Sequence, residues 1–234
     1  ISEGLVGSEM CIRDSIITSD GSKTIQIEDL NERYHSIHGA VQEAMHVYIQ
    51  AGFNTYLKCH PKQIKINIME IGFGTGLNTL LTASHNLKVK KKVYYHGIEA
   101  YPVNKRELVL LNYDNIIKSE TSIFRLIHDC LWDKTHEILP NFFLKKNLDF
   151  FSNVNQINMF DIIYFDAFGP RVQPDLWTEF IFKKMYDSLR LNGILVTYSA
   201  KGSVRRNLQS VGFLVERLIG PPGKREMLRA TKVL

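Results

Sequence analysis

Cysteine is scarce in this sequence, and long apolar runs are missing. The 234 residues include three cysteines, Cys11, Cys59 and Cys130, which lie far apart and form no CxxC pair. This spacing argues against a zinc site and a disulfide scaffold, and it is typical of a reducing compartment. No apolar run approaches the ~20 residues that span a bilayer, and no secretory signal is recognisable. We therefore expect a cytoplasmic protein that has no membrane anchor.

Charge of one sign does not dominate either. There are 29 Lys and Arg residues against 24 Asp and Glu residues, a formal net charge of +5, and 44% of the residues are hydrophobic. The basic excess is compatible with a polyanionic partner but does not identify one. His35, His38 and His46 lie close together without an acidic or cysteine partner at ligand spacing, so we expect no metal site.

The chain divides into three parts. Residues 6–15 resemble translated sequencing adapter, so we expect residues 1–15 to be non-native; a disordered native N terminus is the alternative. Residues 16–60 are predicted to form a hairpin that turns at Asp20-Gly21 and a helix over 38–51 that Gly52 terminates. Residues 61–234 form the main predicted domain.

Strands alternate with helices in this domain. Strands are predicted at 64–71, 93–98, 162–165, 194–198, 213–218 and 227–233, and helices at 77–87, 102–111, 174–191 and 203–211. Two segments, 123–128 and 142–147, compete for the third core strand, and we favour the second because it lies closer to the next strand. The pattern predicts an α/β, Rossmann-like fold with a doubly wound, mostly parallel sheet and an antiparallel C-terminal edge hairpin.

A glycine-rich turn joins the first of these strands to the first helix. Glu70 ends the strand and is followed by Gly72, Gly74 and Gly76, so that backbone N–H groups and the positive end of a helix meet at one point. Leu77 stands where a dinucleotide fingerprint needs its third glycine, and no Gly-Lys-Ser/Thr sequence of a P-loop follows. The turn resembles the first motif of class I S-adenosylmethionine-dependent methyltransferases.

That resemblance implies a set of cofactor-binding residues. From the turn it implies Glu70, Gly72, Phe73, Gly74, Thr75, Gly76 and Asn78. Glu99 ends the next strand, where a carboxylate accepts hydrogen bonds from ribose hydroxyls. Asp149 is the candidate for the adenine amino group, with Asp129 as its rival. Glu43, on the first helix just after Tyr34-His35-Ser36, is a further candidate, because this segment resembles a cap over the cofactor pocket.

A second motif narrows the family. Asp166-Ala167-Phe168-Gly169-Pro170 closes a predicted central strand, and it is followed by the motifs at 174–177, 204–206 and 223–228. Together with 72–78 they resemble the methyltransferase that completes 5-methylaminomethyl-2-thiouridine at the tRNA wobble position. In many bacteria that enzyme is fused to an FAD-dependent oxidase. The similarity covers roughly residues 20–234 and leaves no room for the oxidase, so the chain resembles a standalone form.

The resemblance implies N-methylation of the 5-aminomethyl group of the wobble uridine in tRNA, with S-adenosyl-L-methionine as methyl donor. The chain would act after the enzyme complex that installs the 5-aminomethyl group. Asp166 is the candidate catalytic residue, either as the base for the amine or as a ligand of the cofactor.

Candidate substrate-binding residues lie near this aspartate or in the basic C-terminal region. They are Phe168, Trp177, Arg205, Lys224 and Arg225. The aromatic rings would stack on an unstacked base, and the cations would contact phosphates. Two alternatives stay open: an aminopropyltransferase of the spermidine synthase type, and a catalytically silent RNA-binding protein with a methyltransferase fold.

Overall fold

The computed structural model describes residues 13–27, 32–117 and 122–233. An N-terminal antiparallel sheet precedes the main domain, with strands β1 (Arg13–Ile17), β2 (Lys23–Ile27) and β3 (Glu32–Arg33). The hairpin therefore begins three residues before the expected start and includes the end of the segment 1–15 that we expected to be non-native. Residues 1–12 of that segment lie outside the described residues. The carboxylate of Asp20 accepts a hydrogen bond from the backbone N–H of Gln42, which attaches the hairpin to the following helix.

The first helical segment is longer than predicted. It runs as α1 (Ala40–Ala44), a π-helical stretch (Met45–Asn54) and α2 (Thr55–Cys59) without a break. The prediction that Gly52 terminates it is wrong. A Cβ at Gly52 would lie 3.1 Å from Val196 Cγ2 and 3.2 Å from Tyr164 Cε1. This glycine therefore serves close packing of the helix on the sheet.

The main sheet has eight strands in the order β10-β11-β9-β8-β4-β5-β7-β6. Its strands are β4 (Lys65–Ile71), β5 (Lys92–Glu99), β6 (Thr135–Leu139), β7 (Phe142–Leu148), β8 (Phe160–Phe165), β9 (Leu189–Thr197), β10 (Phe213–Ile219) and β11 (Glu226–Lys232). The five neighbouring strands β9, β8, β4, β5 and β7 pair in parallel. Antiparallel pairs are added at one edge by β6 and at the other edge by β10 and β11. The predicted doubly wound sheet with its antiparallel C-terminal hairpin is confirmed.

Helices cover both faces of this sheet. They are α3 (Leu77–Val89), α4 (Lys105–Leu108), α5 (Tyr113–Ile117), α6 (Ile123–Asp129), α7 (Glu179–Ser188) and α8 (Gly202–Ser210), with 3₁₀ turns at Phe151–Asn153 and Pro174–Trp177. One buried cluster lies between the sheet and the face formed by α1, the π-helical stretch, α3 and α6. The second cluster lies under α7 and α8. This two-sided core leaves the carboxyl ends of the parallel strands free to form a site.

Three further predictions about elements have clear outcomes. The third core strand is β7, as favoured, and the rival segment is helix α6. The helix predicted at 102–111 is wrong in length: α4 starts only at Lys105, where Asn104 and Glu107 form a capping box. The prediction of one helix over 174–191 is also wrong, because the helix here is α7 (Glu179–Ser188). It ends at Ser188, and Asn192 and Gly193 lie inside β9, where the register with β8 shifts.

Candidate cofactor and active site

A cavity of about 760 Å³ opens at the carboxyl ends of β4, β5 and β8. Its wall includes residues of the glycine turn, the strand-end acids Glu99 and Asp166, the N-terminal segment 32–37 and Lys224 from the β10–β11 loop. The volume falls in the range of roughly 300–1,000 Å³ that is usual for small-molecule sites. The position is the one where doubly wound sheets bind ligands.

The glycine turn requires its glycines. Gly72, Gly74 and Gly76 have φ angles of 86°, 49° and 72°, in the left-handed region. A Cβ at Gly72 would lie 2.6 Å from the carbonyl oxygen of Asp166, and one at Gly74 would lie 3.1 Å from the ring of Tyr34. Side chains here would push the turn away from the two segments that border the cavity.

Glu99 is held at the tip of β5 by two backbone groups. Its Oε2 accepts a hydrogen bond from Gly74 N at 3.0 Å, and its Oε1 accepts one from Tyr101 N at 3.0 Å. Glu99 lines the cavity, and a carboxylate in this position can accept a hydrogen bond from a ligand hydroxyl. The exposed ring of Phe150, which packs edge-on against Tyr101 at 6.0 Å, borders the same part of the wall.

Asn78 links the two acids of the predicted motifs. Its Nδ2 donates to Glu70 Oε1 and to Asp166 Oδ2, each at 2.8 Å. Glu70 also accepts from Thr79 Oγ1 and Tyr95 OH, and burial raises the pKa of Glu70 to about 8. Glu70 thus supports the turn from beneath and is not part of the cavity wall. The buried Oδ1 of Asn78 has no hydrogen-bond partner among the described residues.

Asp166 faces the cavity but is enclosed by protein on its other sides. Burial raises the pKa of its carboxyl to about 7; the negative charge of Glu43 adds to the rise, while Asn78, Tyr48 and Lys224 oppose it. The Tyr48 hydroxyl lies beside this carboxyl but outside hydrogen-bond geometry. A carboxyl with such a pKa can accept and release a proton near neutral pH.

Glu43 and Lys224 form an ion pair across the cavity, although they lie 181 residues apart in sequence. The Lys224 ammonium also lies 3.9 Å from the ring centroid of Tyr198. Tyr198 is held in place because its hydroxyl donates to the carbonyl of Ala167 at 2.9 Å. Glu43 accepts a further hydrogen bond from Ser36 N.

The other predicted cofactor residues have more varied positions. Phe73 is almost fully buried against His128 and Trp132, and Thr75 is buried near His35. The carboxylate of Asp149 is exposed at the end of β7 and accepts from Phe150 N and Asn153 Nδ2. Its rival Asp129 is exposed on α6, paired with Arg125. Neither aspartate lines the cavity, while Phe150 and Phe151 do.

The predicted substrate residues separate into two groups. Phe168 and Lys224 line the cavity, and the Phe168 ring packs edge-on against Tyr34 at 5.1 Å. Trp177 is buried in the core instead, where its indole N–H donates to the carbonyl of Phe168 at 2.8 Å. Its position makes it a support for Phe168 and not a surface for stacking. Arg205 and Arg225 lie outside the cavity, on α8 and in the β10–β11 loop.

Sequence reasoning missed several cavity residues, among them Tyr48 and Tyr198. Both lie in apolar stretches whose periodicity is that of core residues, so nothing in the local pattern distinguishes them. Among the described residues no group of three or more His, Cys, Asp or Glu side chains could hold a metal ion. None of the described helices is long and apolar enough to cross a membrane.

The residues present fit S-adenosylmethionine. The three glycines of the turn let its backbone approach the amino-acid end of this ligand, and Glu99 at the tip of β5 suits a ribose diol. Carboxylates at Glu43 and Asp166 suit a ligand that carries a sulfonium and an ammonium group. The unpartnered Asn78 Oδ1 adds a buried acceptor next to Asp166.

Comparison with known proteins shows what the chain is similar to. Residues 144–233 match the family described as "S-adenosyl-L-methionine-dependent methyltransferase". The bifunctional protein MnmC of Actinobacillus pleuropneumoniae serotype 5b, named for tRNA 5-methylaminomethyl-2-thiouridine biosynthesis, is 25% identical, with 92% of this chain and 35% of MnmC covered. The chain thus spans about a third of the length of this relative.

Two solved structures share the fold of this chain. MnmC2 from Aquifex aeolicus superimposes with a TM-score of 0.76 at 25% identity over 97% of this chain and 72% of that one. Spermidine synthase from Thermotoga maritima gives 0.61 at 14% identity, covering 97% and 71%, which shows a shared fold alone. The fold and the cavity define an S-adenosyl-L-methionine-dependent methyltransferase. Within that class, the chain is similar to MnmC and to MnmC2.

Proposed function

We propose that this chain N-methylates the 5-aminomethyl group of the wobble uridine in tRNA, giving 5-methylaminomethyl-(2-thio)uridine. The observation that carries the proposal is the position of Asp166 on the cavity wall, between the glycine turn and the Glu43–Lys224 pair. The similarity to MnmC, whose name states this nucleoside, supports the choice of acceptor. A tRNA substrate agrees with the predicted cytoplasmic location.

The chemistry requires a neutral amine beside an electrophilic methyl group. Bound S-adenosylmethionine supplies that methyl group on a sulfonium. With the cofactor bound, the amine nitrogen would form the new C–N bond, and the electron pair of the methyl–sulfur bond would stay on sulfur. Asp166 takes the proton that the amine loses, and its raised pKa suits it to do so near neutral pH. Holding the reacting atoms in line supplies most of the rate, up to ~7–11 kcal/mol.

The wobble base must leave its stack to reach the cavity. Phe168, half-buried on the wall, offers a ring against which the base can stack. Arg205, on α8, and Arg225, next to Lys224 in the β10–β11 loop, would contact phosphates of the anticodon loop. In this scheme the aromatic group recognises the base and the arginines position the backbone.

The test is methylation of tRNA that carries 5-aminomethyl-2-thiouridine, by the purified protein with S-adenosylmethionine. We expect 5-methylaminomethyl-2-thiouridine in the nucleoside digest by mass spectrometry, and none with tRNA that lacks the aminomethyl group. A deletion strain with unchanged levels of the methylated nucleoside would refute the proposal. Transfer of an aminopropyl group from decarboxylated S-adenosylmethionine to a diamine would instead support the aminopropyltransferase alternative.

A further inference from the structure

The Lys224 side chain points into the cavity and not towards the outer surface. Its ammonium pairs with the Glu43 carboxylate and lies 3.9 Å from the ring centroid of Tyr198. The side chain is 32% exposed, while that of Glu43 is 10% exposed. A lysine whose charge is already balanced inside the site is poorly suited to bind an external phosphate, so its function lies within the cavity.

Two carboxylates, those of Glu43 and Asp166, border this end of the cavity. Each raises the pKa of a nearby amine, because an ammonium is stabilised by negative charge. An alkylamine with an ordinary pKa of about 10 is already protonated at neutral pH. Two uncompensated carboxylates would therefore bind the substrate tightly as an ammonium, which has no lone pair for attack.

We propose that Lys224 is a positioning residue that offsets the charge of Glu43, so that the substrate amine can give its proton to Asp166. The inference rests on the proposed function, since it needs an amine as acceptor. With Lys224 present, the three side chains carry a net charge of −1, and without it the charge is −2. With the lysine present, the negative charge of the site is large enough to attract an amine but too small to keep the amine protonated.

The other titratable groups around Lys224 do not change this balance. Tyr48 and Tyr198 stay neutral because burial raises the pKa of each well above its usual range. His35 stays neutral because burial lowers its pKa to about 4, and Lys224 adds to the lowering. The remaining neighbours are Glu32 and Arg33, which have opposite charges and both line the cavity, and His38, which packs on Gly223.

The experiment measures kcat and KM between pH 6 and 10 with 5-aminomethyl tRNA for the full chain and four variants. The variants are Lys224→Met, Lys224→Arg, Glu43→Gln and the double variant Glu43→Gln/Lys224→Met. We expect Lys224→Met to lower kcat at pH 7 about tenfold and to move the rising limb of kcat up by about one pH unit, without raising KM. Lys224→Arg should stay close to the parent.

The double variant is the decisive arm, because it restores the net charge of −1. We expect its pH profile to return towards that of the parent, while Glu43→Gln alone raises KM and moves the rising limb to lower pH. A Lys224→Met variant that raises KM with an unchanged kcat profile would overturn the inference and indicate a phosphate contact. A double variant no better than Lys224→Met would overturn it as well.

A second measurement does not need activity. Carbon NMR titration of labelled aspartate follows the Asp166 carboxyl, and we expect its pKa to rise in Lys224→Met and to fall back in the double variant. An unchanged Asp166 titration contradicts the inference even if turnover falls. A parent protein that does not methylate 5-aminomethyl tRNA refutes the proposed function, whereas a methylating parent with unaltered variants refutes only the function of Lys224.

Discussion

Asp166 combines a raised pKa with direct access to the cavity. We expect Asp166→Asn to lower kcat by about 10²–10⁴-fold, because the amide cannot take the proton from the amine. Calorimetric titration with S-adenosylmethionine measures cofactor affinity separately, so that a weakened cofactor contact is distinguished from the loss of a base. Asp187→Asn, at an exposed acid of α7 that pairs with Lys183, is the matched control and should keep parental kinetics. Near-normal turnover of Asp166→Asn would remove the residue from catalysis.

The two buried acids also link stability to pH. Burial raises the pKa values of Glu70 and Asp166 to about 8 and 7, so below these values the folded state holds protons that the unfolded chain has lost. The free energy of unfolding should therefore fall as pH rises from 6.5 to 8. The fall is about 1 kcal/mol per pH unit for each proton that the folded state binds and the unfolded chain does not. The histidines His35, His96 and His128, whose pKa values burial lowers from 6.5 to about 4, act in the opposite direction, and their effect fades as pH rises above 6.5.

Urea unfolding of the parent and of Glu70→Gln at pH 6.5 and pH 8 measures this effect. The glutamine is neutral at both pH values, so the difference in the free energy of unfolding between pH 6.5 and pH 8 should be smaller in the variant than in the parent. An equal pH dependence in parent and variant would show that Glu70 is ionised throughout the window.

The contribution of each element to the site depends on how close it can come to its neighbours. A Cβ at Gly97, in the middle of the sheet, would lie 2.4 Å from Cδ2 of Phe73. Phe73 cannot move away freely because it packs against His128 and Trp132. Strand β5 and the glycine turn are thus coupled through a single ring.

We expect Gly97→Ala to destabilise the protein by about 1–3 kcal/mol and to weaken cofactor binding, because the displaced ring shifts the turn. Urea unfolding and calorimetry measure the two effects. Gly202→Ala is the matched control, since its nearest neighbour is the flexible guanidinium of Arg206 at 3.3 Å. Parental stability of Gly97→Ala would contradict this tight coupling.

The elements that build the site differ in how far the sequence predicts them. The glycine turn, β5 and β8 were predicted with their acids because local signals mark them: glycines between apolar runs, and a carboxylate just after a strand. Gly52 carries the same local signal as a helix stop, but the approach of Tyr164 and Val196 decides its conformation. Such a contact with the sheet is not visible in a short window of sequence.

At the scale of the whole molecule, the position of Lys224 was the least predictable. Its sequence neighbours are basic and rich in glycine and proline, which is typical of an exposed loop that meets a polyanion. The fold brings this loop beside α1, where the ammonium of Lys224 pairs with Glu43. A basic cluster in sequence therefore divides, in the fold, into a cavity residue and surface residues.

The surface residues lead to a prediction about tRNA affinity. We expect Arg205→Ala and Arg225→Ala each to weaken binding of all tRNAs similarly and to reduce the slope of log affinity against log salt by about one. Lys88→Ala is the matched control, because Lys88 is an exposed cation in the last turn of α3, at the opposite end from the glycine turn. Equal salt slopes for the parent and both arginine variants would place the tRNA elsewhere.

The ion pair between Glu43 and Lys224 also has a consequence for synthesis on the ribosome. Translation releases Glu43 long before Lys224, which lies 181 residues later, and β11 must still insert between β9 and β10. The nascent chain therefore cannot complete its pocket while the early strands emerge. The early strands therefore fold before the β10–β11 hairpin closes the pocket, and a ligand that contacts this hairpin can stabilise the protein fully only after the hairpin has folded.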